Sequence, residues 1–209
     1  MNYYPVFLDL REKEALVVGG GGVAARKVEG LLECGTSVTV IAPELHPDLR
    51  KLKTKIRWLA KEYEKEDLSS YFLVIAATSN RAVNERIWKY CRKAKKLVNV
   101  VDLREQCNFI APGVARSQEL TIAVSTGGSA PFLTRYLAEQ FRRDYGKSFQ
   151  PYLEMMKKAR LQVKKKISDP ESRNRIFARL CAPEILERAR RGDKAWVQKA
   201  VKSILESAR

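Results

Sequence analysis

The chain has 209 residues and a mass of 23.8 kDa, which allows one large domain or two small ones. Hydrophobic residues make up 45% of it and charged residues 31%, a balance that excludes a disordered polymer, and 40 basic against 24 acidic residues give a net charge of +16. The longest apolar run, residues 71–77, is too short for a membrane helix, and the first residues have no secretory signal pattern. Four cysteines that lie far apart and a single histidine argue against a disulfide scaffold or a metal site. We therefore expect a cytoplasmic protein.

The positive charge is concentrated in the second part of the chain. Residues 1–131 hold 20 basic and 15 acidic side chains, whereas residues 132–209 hold 20 basic and 9 acidic ones. A field of this sign attracts polyanions, and nucleic acid, anionic lipid and a small molecule with many carboxylates all qualify. An equally good explanation is that the lysine and arginine side chains lie on helical faces and only keep the protein in solution, without binding a polyanion.

The first hundred residues alternate between short apolar runs and helical patterns. Helices are predicted over residues 23–34, from Glu44 onward, and after Asn80, which is a plausible N-cap. Strands are predicted at residues 15–18, 37–41, 56–59, 72–77 and 97–101. Continuous apolar strands that alternate with helices indicate a parallel sheet covered on both faces, so the fold class is α/β of the doubly wound, Rossmann type.

The pattern changes after about residue 108. Residues 108–114 and 120–125 are predicted to form strands with no helix between them, and residues 126–129 a turn. Everything from Pro131 onward is typical of helices, which are interrupted before Pro170 and Pro183. The second part of the chain is therefore expected to be a small β-structure followed by helices.

A glycine-rich segment, GGGGVAARK at residues 19–27, directly follows the first predicted strand. Read as G-x-G-x-x-A, it uses Gly19 for a tight turn, Gly21 for close approach of a diphosphate, and Ala24 for close packing of helix on strand. Gly22 and Val23 then open the helix, whose free N–H groups favour phosphate. The strand–helix–strand context favours a dinucleotide site over a purely structural turn.

The end of the second predicted strand bears on which dinucleotide binds. Pro43 and Glu44 stand where an acidic residue commonly holds the adenosine ribose, and no arginine occurs before Arg50 to clamp a 2′-phosphate. Backbone groups at 42–44 are candidates for adenosine recognition, which favours NAD over NADP. Glu44 is equally well explained as a residue of the first helical turn, where the helix dipole favours a carboxylate.

Thr78 follows the fourth predicted strand, at the edge of the sheet where ligands of doubly wound folds bind. Its hydroxyl is placed to contact the nicotinamide ribose of a bound dinucleotide. A role in capping the next helix is at least as good an explanation, because hydroxyl side chains are favoured at helix starts.

Three motifs in this order resemble those of the precorrin-2 dehydrogenase family, which is also the dehydrogenase module of siroheme synthases: GGGGVAARK at 19–27, NVVD at 99–102 and STGGSAP at 125–131. The likeness extends from residue 4 to about 145 and more loosely through the tail. It implies oxidation of precorrin-2 to sirohydrochlorin with NAD⁺, and in some members insertion of Fe²⁺ as well. The basic second half suits a substrate that carries eight carboxylate side chains.

The resemblance also assigns roles to individual residues. Asp102 matches the functional aspartate of the family and is expected to accept the proton that leaves with the hydride, while Val101 lies beside the cofactor. Without the resemblance, a turn or capping aspartate would be the better explanation. The substrate is expected to border a second anion-binding corner, formed by Ser125, Thr126, Gly127, Gly128 and Ser129. Ordinary capping of the next helix is compatible with that role.

The resemblance implies three regions: an NAD-binding Rossmann domain at 1–112, a dimerisation region at 113–145 and a helical domain at 146–209. We therefore expect a homodimer with no nucleic-acid or membrane partner and no resident metal, His46 being a surface residue of the second helix. Two other functions stay open. One is an NAD(H)-sensing module without catalysis, and the other is a basic nucleic-acid-binding protein, although no recognised nucleic-acid motif occurs.

Overall fold

The computed structural model describes residues 3–64 and 68–207, and it divides into two units, of which the first ends at Ala111 and the second begins at Pro112. Only one copy of the chain is described, so the assignment of residues 113–145 to dimerisation stays a prediction. Among the described residues, no helix is both long enough and apolar enough to cross a membrane.

The first unit is built on a five-stranded sheet. Its elements are β1 (Glu14–Val18), α1 (Gly22–Leu32), β2 (Ser37–Ile41), α2 (Pro47–Lys51), β3 (Arg57–Leu59), β4 (Leu73–Ala76), α3 (Arg81–Lys93) and β5 (Leu97–Val100). The strands are all parallel in the order β3-β2-β1-β4-β5. The predicted doubly wound α/β fold is thereby confirmed.

The side chains of β1 alternate between two cores, one on each face of the sheet. Ala15 and Val17 pack in the cluster that contains the buried face of α1, and Leu16 and Val18 pack in the cluster that contains α3. This period of two is what a strand covered on both faces requires. Because the chain leaves β1 towards β2 on one side and β4 lies on the other, the carboxyl end of β1 is the switch point where ligands of such sheets bind.

Two element boundaries differ from the sequence prediction. The second helix begins at Pro47 rather than Glu44, because the N–H of His46 donates to the carbonyl oxygen of Gly20 (2.7 Å) and holds the intervening segment against the glycine loop. The strand predicted from residue 108 begins only at Gly113. The side chain of Asn108 instead accepts from the N–H of Val98 in β5 and donates to the carbonyl of Lys96 just before β5, which keeps that segment out of a regular strand.

The second unit combines a hairpin with five α-helices in the part of the chain that the structure describes. Its elements are β6 (Gly113–Ser117), β7 (Leu120–Val124), α4 (Pro131–Asp144), α5 (Gln150–Lys166), α6 (Pro170–Leu180), α7 (Pro183–Arg190) and α8 (Lys194–Glu206). The repeat of apolar residues at three- and four-residue steps in this region, among them Phe149, Tyr152 and Val163, predicts one buried helical stripe. The structure confirms it for these three residues, which are buried in one core. The predicted breaks before Pro170 and Pro183 are also confirmed.

Candidate active site

The first two glycines of the loop are fixed by the backbone around them. Gly19 has φ +120°, and its N–H donates to the carbonyl oxygen of Ile41 (2.9 Å). A Cβ atom built on Gly19 would overlap the carbonyl group of Ala77, and one built on Gly20 would overlap the carbonyl oxygen of Glu44. These two positions therefore require glycine because the loop is wedged between the segments that follow β2 and β4.

Gly21 has a different environment. It is the extended N-cap of α1 (φ −80°), and no described atom lies within 4 Å of a Cβ built on it. No side chain of the described residues caps this helix, and its first turn carries no acidic residue. The N–H groups of Gly22, Val23 and Ala24 are the ones that the helix itself leaves without an acceptor.

The residues at this helix start fit the diphosphate of a dinucleotide. Uncapped N–H groups and the positive end of the helix dipole bind phosphate, and the space at Gly21 lets the phosphate reach them. Ala24 is fully buried and allows α1 to lie close against the sheet. The structure thus brings Gly19, Gly21, Gly22, Val23 and Ala24 into one turn at the start of α1, and binding of a dinucleotide there stays a prediction.

The backbone at the end of β2 is only partly free to recognise adenosine. The N–H of Ala42 donates to the carbonyl oxygen of Leu59 (3.2 Å), and its carbonyl accepts from the indole Nε1 of Trp58 (2.9 Å). Pro43 has no N–H to offer. Pro43 and Glu44 are exposed, so the Glu44 carboxylate is the polar side-chain group that this turn presents for a ribose.

His46 follows this turn as the N-cap of α2, rather than lying within the second helix as expected. Its Nδ1 accepts from the N–H of Asp48 (3.3 Å). The ring is exposed, and a Cβ built on Gly22 would lie 3.6 Å from its Nε2. His46 therefore stands beside the start of α1.

Thr78 takes part in the protein's own hydrogen bonds. Its hydroxyl lies 2.7 Å from Oδ1 of the buried Asn84 and accepts from the N–H of Asn80 (3.2 Å), while Asn84 Nδ2 donates to the Thr78 carbonyl (3.0 Å). The cap of α3 is Asn80, whose Oδ1 accepts from two N–H groups of the first turn, as predicted. Contact of Thr78 with a nicotinamide ribose stays a prediction.

Asp102 lies in a tight turn just after β5. The N–H of Leu103 donates to the carbonyl of Val100 (3.3 Å), and Asp102 has φ +63°, which at the third position is typical of a type II turn. The N–H of Val101 donates to the carbonyl of Ala76 (2.9 Å) and continues the pairing with β4. The exposed Asp102 is thus held at the carboxyl edge of the sheet, the same edge at which the glycine loop and Thr78 lie.

Three residues near this edge were not singled out from the sequence. The Cys107 thiol binds the turn that carries Asp102, and burial raises its pKa despite the neighbouring charge of Lys27. Burial lowers the pKa of the Lys27 ammonium, which α1 carries. Asn99, almost fully buried in β5, donates to the carbonyl of Phe109 (3.1 Å). Of these three residues, only Asn99 could have been noticed from the sequence, because it is a polar residue inside an apolar strand.

The predicted substrate corner lies in the second unit, before α4. Its three hydroxyl side chains bind backbone within the segment: Ser125 Oγ accepts from the N–H of Gly127 (3.1 Å), Thr126 Oγ1 from that of Ala130 (3.0 Å), and Ser129 Oγ donates to the Thr126 carbonyl (2.6 Å). Gly127 and Gly128 both have positive φ. The segment is thus a preformed turn, and its role in substrate binding stays a prediction.

Comparison with known proteins agrees with this geometry. The family model described as "Putative NAD(P)-binding" matches residues 6–113, which is just over half of the chain. The siroheme synthase of Neisseria meningitidis serogroup C is 41% identical over 179 residues, covering 85% of this chain and 37% of the relative. That of Zymomonas mobilis is 35% identical over 208 residues, covering 99% and 44%. The chain thus spans less than half the length of these relatives.

Among solved structures, SirC, a precorrin-2 dehydrogenase, matches with a TM-score of 0.74 and 26% sequence identity. The match covers 98% of this chain and 100% of that one, so it includes both units. The resemblance to the precorrin-2 dehydrogenase family that the three motifs indicated is therefore supported by sequence and by structure. The chain belongs to the NAD(P)-binding family whose model it matches, and it is similar to precorrin-2 dehydrogenases over nearly its whole length.

Proposed function

We propose that this chain oxidises precorrin-2 to sirohydrochlorin in siroheme formation, with NAD⁺ as the hydride acceptor. The observation that supports the proposal is that the uncapped start of α1 and Asp102 lie at one edge of the same sheet. The similarity to a precorrin-2 dehydrogenase over 98% of the chain supports the choice of substrate.

Oxidation of precorrin-2 removes two hydrogen atoms, one as a hydride and one as a proton. Bound NAD⁺ supplies the acceptor for the hydride and its two electrons. The proton needs a base, and the exposed carboxylate of Asp102 is available for it. The role of Asp102 in this proposal is therefore to take the proton at its carboxylate oxygens.

The backbone of Asp102 supports a chemical role for its side chain. A non-glycine residue in the left-handed region pays about 1–2 kcal/mol, and aspartate pays less than most residues. Glycine would relieve that cost at the third position of a type II turn. The turn therefore does not need the carboxylate of Asp102, which leaves this group available for chemistry.

The substrate carboxylates are proposed to bind the basic second part of the chain. Residues 132–209 hold 20 basic and 9 acidic side chains, and long lysine and arginine side chains form charge-assisted hydrogen bonds to carboxylates. Pro131 opens α4 without a side-chain cap from the described residues, so the N–H groups of Phe132 and Leu133 at the start of this helix are further donors for a carboxylate.

The decisive experiment is turnover of precorrin-2, followed by the absorption of sirohydrochlorin, with NAD⁺ and NADP⁺ in parallel and then with Fe²⁺ added. We expect oxidation with a preference for NAD⁺; the Fe²⁺ arm decides whether the chain also inserts iron. Binding of NAD⁺ without turnover would instead favour a sensing module. Steeply salt-dependent binding of nucleic acid, without turnover, would favour the third function.

Substitution of Asp102 by asparagine tests the proposed base directly. Asparagine also tolerates positive φ, so the turn is kept while the carboxylate is lost. We expect turnover to fall about 10²- to 10⁴-fold, the usual contribution of a general base, with the Kd for NAD⁺ unchanged. Unchanged turnover would remove Asp102 from the mechanism.

We further propose that the protein is a homodimer located in the cytoplasm. Support for dimerisation comes from an apolar patch on α4, formed by Phe132 (83% exposed), Leu133 (48%) and Tyr136 (60%). Exposed apolar patches of this kind are typical of protein–protein interfaces. Phe132→Asp should therefore shift the protein from dimer to monomer in analytical ultracentrifugation. Leu161→Asp, which replaces a 67% exposed leucine of α5, is the matched control and should not.

A further inference from the structure

A single sulfur atom contacts both ends of the turn that carries Asp102. Cys107 Sγ accepts from the N–H of Val100 (3.2 Å) and lies 3.2 Å from the Val100 carbonyl oxygen and 3.3 Å from that of Leu103. Val100 precedes the turn's central residues, 101 and 102, and Leu103 follows them. The thiol therefore bridges Val100 and Leu103, the first and last residues of the turn.

The reason for this contact lies in the position of β5 at the edge of the sheet. The N–H of Val101 points towards β4, so the N–H groups of Val98 and Val100 point the other way, where no described strand pairs with them. Side chains supply the acceptors instead. Asn108 Oδ1 accepts from Val98 (2.8 Å), and Cys107 Sγ accepts from Val100. The returning segment is thus attached to β5 by these two side chains and by the N–H of Asn108, which donates to the Val98 carbonyl (3.1 Å).

The protonation state of Cys107 suits this arrangement. Burial raises the pKa of its thiol and Glu105 acts in the same direction, whereas the Val100 N–H and the charge of Lys27 oppose the rise. The thiol therefore keeps its proton at neutral pH. It can accept from the Val100 N–H and at the same time donate to a carbonyl oxygen, of which that of Leu103 lies across the turn.

We propose that Cys107 is a positioning residue for Asp102, its thiol holding the Val100–Leu103 turn so that the carboxylate keeps one orientation for proton removal. The inference rests on the proposed function, in which Asp102 is the base. A carboxylate on a loosened turn spends less time in reach of the proton, and small misplacements of a catalytic group are costly. The expected signature is a lower kcat with unchanged binding of NAD⁺.

Three variants at Cys107 separate hydrogen bonding from packing. Serine keeps a hydrogen-bond donor and acceptor. Valine keeps the side-chain volume but cannot form hydrogen bonds, and alanine loses both the volume and the hydrogen bonds. We expect kcat to fall about 10- to 100-fold in Cys107→Val and Cys107→Ala and to be largely retained in Cys107→Ser. Hydrogen exchange of the Val100 amide should become faster in the valine and alanine variants, because its acceptor is lost.

Cys91 provides the matched control. It is a fully buried cysteine of α3 that belongs to the core cluster against which Cys107 packs. Cys91→Ala should lower the Tm through the cavity it leaves, while kcat stays at the wild-type value.

The outcomes are distinguishable from one another. If kcat simply follows Tm across all four variants, Cys107 has only a structural role and the inference is overturned. If wild type turns over and Asp102→Asn does not, but Cys107→Val has wild-type kcat, the inference fails while the proposed function stands. If wild type does not oxidise precorrin-2, the proposed function fails and the inference fails with it.

Discussion

Replacement of Gly21 by alanine should weaken NAD⁺ binding about 10- to 100-fold without unfolding the protein. Gly19 and Gly20 are required by the fold, because an added Cβ would overlap neighbouring backbone, whereas Gly21 leaves open space at the start of α1. Gly21 is extended (φ −80°), a conformation that alanine adopts freely, and no described atom lies within 4 Å of its added Cβ. The methyl group would therefore occupy the space through which we expect a phosphate to reach the start of α1.

The magnitude follows from two opposing effects on stability and one on binding. Alanine is a poorer N-cap than glycine by up to about 1 kcal/mol, but it restricts the unfolded chain and regains about 0.4–1 kcal/mol. The net change in the free energy of unfolding should stay within about 1 kcal/mol, or roughly 2–4 °C in Tm for a protein of this size. Loss of one charge-assisted hydrogen bond to phosphate costs about 1.5–3 kcal/mol, or about 10- to 100-fold in Kd.

Isothermal titration with NAD⁺ and thermal unfolding of the apo protein measure the two quantities. Gly20→Ala is the comparison, because its Cβ would overlap the carbonyl oxygen of Glu44 and lie 2.8 Å from Cβ of Ala42. Backbone must move to accept it, so the cost should be at least about 1–3 kcal/mol of stability. Gly21→Ala with wild-type affinity for NAD⁺ would refute the assignment of this turn to the diphosphate.

Two further substitutions test the interpretation of neighbouring residues. Asn80→Ala removes the acceptor of two N–H groups at the start of α3 and should lower the free energy of unfolding by about 0.5–2 kcal/mol in urea titrations; no change would mean that the cap is dispensable. Lys27→Met should raise stability at neutral pH, because burial lowers the pKa of Lys27 and the unfolded chain therefore binds the proton more tightly. As the pH rises from the lowered pKa of Lys27 towards its ordinary value of 10.5, the free energy of unfolding of the wild type should increase. The methionine variant should not show this increase when the two proteins are unfolded at a series of pH values in that range.

The strands and the glycine loop could be predicted because local sequence determines them. Continuous apolar runs mark the buried strands, and the strand–glycine–helix order marks the glycine turn at the start of α1. Asn80 was predicted as a cap for the same reason, since an asparagine before a helical pattern has a local hydrogen-bonding role. These features need no knowledge of distant contacts.

Features that depend on contacts between distant segments could not be predicted. The late start of α2 follows from the bond between the N–H of His46 and the carbonyl of Gly20, and no local pattern indicates that bond. The role of Cys107 depends on the edge position of β5, which only the sheet order shows. For Thr78, the sequence left ligand contact and capping equally open, whereas the structure shows a third use, the bond to Asn84.

Two turns at the same sheet edge meet the same backbone requirement in different ways. Gly19 has φ +120° with a neighbouring carbonyl where its Cβ would be, so only glycine fits. Asp102 has φ +63° and an exposed side chain, so glycine would fit at a lower conformational cost. The carboxylate at the second turn is thus not required by the fold, and the thiol of Cys107 contacts the first and the last residue of that turn. Proton removal at a fixed position requires a carboxylate on a turn that keeps its conformation. The exposed Asp102, on a turn that a thiol contacts at both ends, meets this requirement, and this is the physical basis for our proposal that Asp102 is the base.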